Sequence, residues 1–376
     1  MIIISPIIRL ALKIASIVLF IVTLAAAYGG KVNPEYMTVP SVMVLALPYL
    51  AIATLLTGIA WLCSGRLIMA ALAALTLVAG WPNIKDVTPI AFSKSPQDET
   101  RTFRLMTFNS LHLADTTRQD APGNRAIKFL TECGADIICL QELVNFEDPN
   151  EIHHWSRGLI DSLYAAYPYR AAAVKGQTSA YDLKILSKYP VKAIPVACPN
   201  ADDEDYWGKR RRWALFEVDI KGFRLPIVDF HMTSYNLTDT EREVVTDIKG
   251  VNSAKKSIKE FRYEIFPKLG EAFRTRAQNV KEMISTTSGY KTLIACGDFN
   301  DVPSSWSYRL MREAGFNDAY PETSFGPTNT FNQFLFLFHI DQIFYRGARL
   351  KALKTKRYRI DTSDHYPVEA VFEILP

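Results

Sequence analysis

The first ninety residues of the chain are far more apolar than the remainder. A helix needs roughly 20 apolar residues to cross the hydrocarbon core of a bilayer, and three windows approach that length. They are Leu10 to Tyr28, Pro40 to Cys63 and the shorter Leu67 to Trp81. Residues 1–82 are therefore predicted to form a membrane anchor of about three transmembrane helices.

Positive charges beside these windows indicate an orientation. Short segments rich in Lys and Arg tend to stay in the cytoplasm, so we place the N-terminus, with Arg9 and Lys13, and the loop at Arg66 on that side. The chain after the third window then lies in the periplasm or outside the cell, as part of a multi-pass protein of the cytoplasmic membrane. The lysines that oppose this assignment are Lys31, Lys85 and Lys94.

The first window has a second interpretation. Lys13, an apolar core and Ala25 to Ala27 follow the order of a cleaved signal peptide. In either case the later helices would hold the protein at the membrane. The windows contain no interior acidic residue of the kind that marks an ion path, which argues against a transporter.

Beyond a predicted linker over residues 83–101, short apolar runs alternate with helical stretches. This alternation predicts a mixed α/β domain over residues 102–376. No fixed-period repeat interrupts it. The predicted strands are Phe103 to Phe108, Asp136 to Gln141, Leu183 to Leu186, Ala214 to Ile220, Leu225 to Phe230, Thr292 to Cys296, Ile340 to Tyr345 and Val368 to Ile374.

Residues 238–285 interrupt the strand pattern with a helical and basic insertion. Between Lys249 and Lys281 there are nine Lys or Arg residues and three Glu residues. Such a surface suits a polyanion or anionic lipid, but it is also typical of an ordinary solvated helix face. The net charge of +4 does not by itself identify a nucleic-acid-binding protein, and the five cysteines lack the CxxC spacing of zinc or redox sites.

Polar side chains stand where the predicted strands end, at the positions where a sheet holds catalytic groups rigidly. Carboxylates, amides and imidazoles without a cysteine form an oxygen-rich donor set that suits Mg²⁺ or Mn²⁺. Taken singly, each residue also has a structural interpretation, such as a turn, a surface ion pair or a buried histidine. The set is Asn109, Glu142, His231, Asp298 with Asn300, Asp341, and Asp364 with His365.

The order and spacing of this set resemble the endonuclease/exonuclease/phosphatase superfamily over roughly residues 102–375. The motifs are Thr107-Phe-Asn109, Leu140-Gln-Glu142, Gly297-Asp-Phe-Asn300, Ile340-Asp341 and Ser363-Asp-His365. The resemblance implies a four-layer α/β sandwich in which two mixed sheets are flanked by helices. It also implies a divalent metal, Mg²⁺ or Mn²⁺.

The resemblance assigns a role to each matching residue. Asn109, Glu142 and Asp364 would help to hold the metal. Asp298 would orient or deprotonate the attacking water. His365, polarised by Asp341, would contact the phosphate or the leaving group. Residues implied to grip the phosphate are Asn300, His231 and Arg211, the last of which lies in a basic loop that is equally consistent with plain solvation.

Two departures from the family pattern concern the leaving-group side and the branch of the superfamily. His339 and Gln342 flank the Ile-Asp element where the family often has Arg and Tyr, and the Trp-Cys-Asp signature of the inositol phosphatases is absent. The sequence therefore predicts a membrane-tethered hydrolase of phosphodiesters or phosphomonoesters, with nucleic acid or a phospholipid headgroup as substrate and no obligate protein partner. The alternative is a non-catalytic binding module on the same fold.

Overall fold

A computed structural model of the chain describes residues 6–113, 118–143, 156–173, 183–196, 212–235, 237–238, 259–333 and 338–376. All eight predicted strands are present, and four short or edge strands accompany them. The strands are β1 (Thr102–Asn109), β2 (Ile137–Gln141), β3 (Tyr169–Ala172), β4 (Lys184–Ser187), β5 (Val191–Ile194), β6 (Trp213–Ile220), β7 (Phe223–His231), β8 (Leu293–Asp298), β9 (Asn317–Asp318), β10 (Asp341–Arg346), β11 (Leu350–Arg357) and β12 (Val368–Ile374).

The strands form two six-stranded mixed sheets, in the orders β11-β12-β1-β2-β4-β3 and β5-β6-β7-β8-β10-β9. Alternate side chains from both sheets interlock in one apolar cluster, which includes Leu105, Cys139, Ile227 and Cys296. Because each strand points every second side chain to the same face, this cluster is the layer between the sheets. The predicted sandwich of two mixed sheets is confirmed.

Helices cover the outer faces of the sheets. One cluster packs α5 (Pro122–Glu132) and α6 (Arg157–Ala166) onto the first sheet, and another packs α7 (Phe266–Thr286) and α8 (Trp306–Glu313) onto the second. A short helix, α9 (Ala319–Thr323), precedes β10, and a π-helical turn (Phe261–Ile265) leads into α7. The predicted insertion is helical from residue 259 onward, and residues 239–258 lie outside the described part of the chain.

The N-terminal region consists of α1 (Pro6–Gly29), α2 (Val39–Leu45), α3 (Leu47–Cys63) and α4 (Leu67–Val87). In the described part of the chain, α1 and α4 are each long and apolar enough to cross a membrane. The bent pair α2 and α3 would make a third span if it counts as one. These apolar helices indicate that the protein associates with a membrane.

The second predicted window is broken rather than continuous. Its two halves meet at Ala46 with an angle of 64°. Pro48 explains the break, because its ring lacks an N–H group and would clash with the carbonyl group of Val44 in a continuous helix. By contrast, α4 continues through Pro82 to Val87, so the first residues of the predicted linker are helical.

One end of the helical bundle docks on the α/β domain. Gly30 lies so close to the domain that a Cβ atom added to it would stand 1.8 Å from the carbonyl oxygen of Ser304. The Ser304 hydroxyl donates a 2.7 Å hydrogen bond to the carbonyl of Asn83, at the end of α4. Val44 of α2 is fully buried against Val302 and Ile340 of the domain. The anchor is thus part of the packed structure.

Candidate active site

Strand register brings the predicted polar residues to one rim of the sandwich. β7 and β8 are parallel and pair His231 with Asp298, and antiparallel β10 pairs Asp341 with Asp298. In the other sheet the parallel strands β1 and β2 end together at Asn109 and Gln141, next to Glu142. Since parallel strands end at the same edge and their antiparallel neighbours begin there, residues distant in sequence converge.

Asp298 lies at the centre of this group. Its Oδ2 atom accepts hydrogen bonds from the amide nitrogens of Asn109 and Asn300, both at 3.0 Å. The Nε2 atoms of His231 and His365 stand 3.6 and 3.7 Å from the same oxygen. Burial raises the pKa of the Asp298 carboxyl above its ordinary value, against the lowering effect of His365.

The turn after β8 holds Asp298 in this orientation. Asp298 Oδ1 accepts a 2.9 Å hydrogen bond from the backbone N–H of Asn300, so the Asx turn and the polar cluster use different oxygens of one carboxylate. Gly297 has φ of 145°, and a Cβ atom there would lie 1.9 Å from the carbonyl oxygen of Phe230. Glycine is therefore required where β8 passes β7 and exits to the site.

Asp341 and His365 form a buried pair beside Asp298. His365 Nδ1 lies 2.9 and 3.1 Å from the two carboxylate oxygens of Asp341. Burial disfavours the charged imidazole, but the carboxylates of Asp341 and Asp298 outweigh it and raise the pKa of His365 to about 10. The Ser363 hydroxyl accepts from the His365 backbone N–H and donates to the carbonyl of Asn109, which ties His365 to the end of β1. The contact between His365 and Asp341 joins the two sheets at the rim.

Glu142 and His231 lie on the other side of Asp298. The Asn109 amide nitrogen donates a 3.1 Å hydrogen bond to Glu142 Oε1, and His231 Nε2 is 3.5 Å from the same atom. Burial lowers the pKa of His231 to about 4, so this imidazole is neutral at neutral pH. Glu142 and Asn300 have φ values of 50° and 52°. Such left-handed conformations in non-glycine residues often occur at functional sites.

The donor chemistry fits a hard divalent cation. Glu142 is half-buried, and both Glu142 and Asp364 line the cavity into which this polar cluster opens. Ligand atoms of Asp298, Asp341 and His365 also lie within 4.8 Å of one another, but a cation bound by all three would compete with the Asp341–His365 hydrogen bond. The Asn109 amide nitrogen faces the carboxylates while its oxygen accepts from the Leu111 N–H, so metal contact through Asn109 requires its amide to rotate.

Three residues singled out in the sequence are not members of this cluster as described. Arg211 lies outside the described residues, so its position is not assigned, whereas its neighbour Arg212 lines the cavity. His339 and Gln342, the two departures from the family pattern, are buried away from the cavity lining. His339 stacks on Tyr320 with ring centroids 4.0 Å apart, and Gln342 donates a hydrogen bond to the His339 carbonyl.

A buried ion pair that the sequence does not predict lies behind the site. Arg276 of α7 is fully buried and lies 3.0 Å from Asp301. Its Nε and Nη2 atoms donate to the carbonyl of Thr233, at 3.2 and 2.9 Å. Arg276 thus ties the segment after His231 to the segment after Asp298. The sequence does contain an indication of this buried arginine, because Arg276 falls on the apolar face of a helix, one turn after Phe273.

The polar cluster opens into a cavity of about 710 Å³. Its other end is apolar and includes residues of α2 and α3, for which the sequence predicts only a role in membrane anchoring. From the α/β domain, the π-helical turn and α7 contribute further apolar residues to this end. A site of this size with convergent polar groups at one end has the features of a small-molecule binding site.

Similar solved structures include endonuclease/exonuclease/phosphatase proteins from Beutenbergia cavernae (15% identity, 73% of this chain and 72% of that chain, TM-score 0.49) and Bacteroides vulgatus (18%, 73% and 99%, 0.43). A family protein from Leptotrichia buccalis is also similar (15%, 72% and 100%, 0.49). No curated protein sequence matches this chain.

Two family models match the chain. Residues 9–87 match a domain of unknown function. Residues 106–365, more than half of the chain, match the model described as the endonuclease/exonuclease/phosphatase family. The chain therefore belongs to the endonuclease/exonuclease/phosphatase family, as the motifs at its strand ends predicted.

Proposed function

We propose that this protein is a divalent-metal-dependent phosphoesterase that its N-terminal helices hold at a membrane. The proposal rests on the groups that surround the carboxylate of Asp298. Two amide nitrogens at 3.0 Å and two imidazole nitrogens at 3.6 and 3.7 Å converge on one carboxylate oxygen. A base, hydrogen-bond donors and a protonated imidazole are the groups that phosphate-ester hydrolysis requires.

The residues divide the reaction between them. Asp298 accepts a proton from a water molecule whose oxygen forms a bond to phosphorus. His231 donates a hydrogen bond to a non-bridging phosphate oxygen, and Asn300 would donate another in exchange for the hydrogen bond that its amide gives to Asp298. As the bond from phosphorus to the leaving oxygen breaks, His365, held by Asp341, gives that oxygen a proton. The pKa of His365 near 10 keeps it protonated beforehand.

Glu142 and Asp364, with Asn109, would hold Mg²⁺ or Mn²⁺. Such an ion neutralises phosphate oxygens and lowers the pKa of bound water. Binding of the cation by the Asn109 oxygen would replace the hydrogen bonds that the amide nitrogen of Asn109 donates to Glu142 and Asp298. A half-buried carboxylate beside an amide is the type of oxygen site that these cations prefer.

The cellular setting is part of the proposal. The two long apolar helices, together with the bent pair, support a multi-pass arrangement. The positive charge at Arg9, Lys13 and Arg66 favours a catalytic domain facing the periplasm or exterior. In this setting, nucleic acid and phospholipid headgroups are the two substrate classes that the charge and the location allow.

The test uses the full chain in nanodiscs, because α2 contributes to the cavity. We expect it to hydrolyse bis-p-nitrophenyl phosphate with Mg²⁺ or Mn²⁺ and to lose this activity in EDTA. Asp298→Asn should reduce kcat by about 10²- to 10⁴-fold, the usual contribution of a positioned base. Asp161→Asn, at an exposed aspartate of α6, is the matched control and should retain full activity.

The same experiment addresses the non-catalytic alternative. A binding module would bind Mn²⁺, as measured by calorimetry, without metal-dependent release of p-nitrophenolate. Equal activity in the wild-type protein and Asp298→Asn would also overturn the proposed mechanism. We expect neither, because every position of the predicted catalytic set carries a suitable group and most of them converge at one rim.

A further inference from the structure

The active-site cavity has two chemically different ends. The polar end contains Asp298, Glu142 and His365. The other end, here called the apolar wall, is built by two segments that pack against each other. Its members are Val42, Leu45 and Tyr49 of α2 and α3, and Phe261, Ile265 and Leu269 of the π-helical turn and α7.

The apolar wall is continuous with the membrane helices. Leu45 packs in two clusters, one around Val302 and Ile340 beside the catalytic residues and one around Ile265 and Leu269. The chain then bends by 64° and continues as α3. Tyr49, in the first turn of α3, still lines the cavity. The cavity therefore reaches from the catalytic rim to the start of an apolar helix.

The described part of the cavity lining carries little of the positive charge that a polynucleotide site needs. Proteins that bind single strands combine a positively charged groove with exposed aromatic rings on which bases stack. Among the described residues that line this cavity, Arg212 is the one arginine or lysine. A ligand that satisfies both ends must instead carry a phosphate at one end and a hydrocarbon at the other.

We propose that the substrate is a membrane lipid phosphoester, with its phosphate at Asp298 and one hydrocarbon chain against the apolar wall. The inference rests on the proposed hydrolysis and adds its substrate class. The membrane anchor then has a second role, because α2 and the first turn of α3 supply three of the six residues of the apolar wall. In this proposal the lipid would approach along α3, whose exposed side is apolar.

The experiment measures how activity depends on chain length. Substrates are alkyl p-nitrophenyl phosphate diesters with ethyl, butyl, hexyl and octyl chains, used below their micelle-forming concentrations with the full-length protein in nanodiscs. Burial of a methylene strengthens binding by up to about fourfold. We expect kcat/KM to rise from ethyl to octyl by at least about tenfold, since part of the wall is already covered by protein.

Variants distinguish binding of the alkyl chain to the apolar wall from simple partitioning of the substrate into the bilayer. Leu45→Trp should reduce the octyl-to-ethyl ratio of kcat/KM several-fold. Leu55→Trp, on the exposed side of α3, should leave the wild-type ratio unchanged while partitioning stays the same. Val42→Phe provides a second change in the wall. Melting temperatures identify any variant that fails to fold.

The outcomes distinguish the two proposals. If the wild-type protein hydrolyses none of the diesters, the proposed function itself fails. If it hydrolyses ethyl and octyl diesters equally well, or if Leu45→Trp and Leu55→Trp give the same ratio, hydrolysis stands and the lipid inference is overturned. Cleavage of plasmid DNA or RNA with a higher kcat/KM than the octyl diester would likewise overturn it in favour of nucleic acid.

Discussion

The polar and apolar ends of the cavity are built in different ways. The polar end comes from strand termini, and the ladder pairings of Asp298 with His231 and Asp341 fix its residues. The apolar wall comes from helices whose partners lie more than two hundred residues away, as with Leu45 and Leu269. Backbone hydrogen bonds between strands thus position the polar side chains of the site. Side-chain packing of the N-terminal helices shapes the apolar wall that would select a substrate.

Removing the acid at the polar end should have the largest effect. If His365 protonates the leaving oxygen, His365→Gln should reduce kcat by about 10²- to 10⁴-fold for alkyl leaving groups. For p-nitrophenol, whose oxygen leaves without a proton, the loss should be much smaller. Asp341→Asn should show the same dependence on leaving group. Equal losses for both kinds of ester would assign His365 to phosphate binding alone.

The ion pair behind the polar end should contribute mainly to stability. Arg276→Met leaves Asp301 buried without its partner, which typically costs about 3–5 kcal/mol of the free energy of unfolding. Arg276→Met combined with Asp301→Asn removes the lone charge and should regain part of that loss. Denaturant unfolding of the detergent-solubilised protein measures both. An additive double variant would show that the two side chains are not coupled.

Metal binding should raise the thermal stability of the wild-type protein. A ligand at a hundredfold excess over its Kd stabilises the native state by about 2.7 kcal/mol. We expect Mn²⁺ to raise the Tm of the wild-type protein and to have much less effect on Glu142→Gln. Glu271→Gln, at an exposed glutamate of α7, serves as the control. An unchanged response in Glu142→Gln would place the metal elsewhere.

A change at the docking point of the anchor should have the smallest effect and should report on the apolar end. Gly30→Ala places a methyl group against the Ser304 carbonyl, and the resulting shift should cost about 1–3 kcal/mol. We expect a lower Tm and a smaller octyl-to-ethyl ratio, with metal-dependent hydrolysis retained. Gly158→Ala, where a Cβ atom meets nothing within 4 Å, should leave the ratio unchanged and should not lower the Tm, because alanine favours the helix in which Gly158 lies. An unchanged octyl-to-ethyl ratio in Gly30→Ala would show that the contact between the N-terminal helices and the domain at Ser304 does not affect the preference for long chains.

Local features of the sequence predicted the strands and the order of the polar residues. Alternating apolar positions identified the long central strands, while short edge strands such as Tyr169–Ala172 and Val191–Ile194 escaped notice. An edge strand has fewer fully buried positions, so its pattern is weaker. The apolar composition of the second window predicts one continuous helix, although Pro48 lies within it. The break at Ala46 was therefore not predicted.

The amino-acid sequence alone indicates an oxygen-rich set of polar groups at strand ends, because a strand end followed by a polar residue is a local pattern and because carboxylates, amides and imidazoles have fixed donor properties. The three-dimensional fold shows that these groups converge on Asp298 and that Arg276 supports them from behind. It alone decided that α2 closes the cavity. Such contacts join segments far apart in the chain, and the free energy of burial that selects them depends on matching surfaces that no single segment specifies.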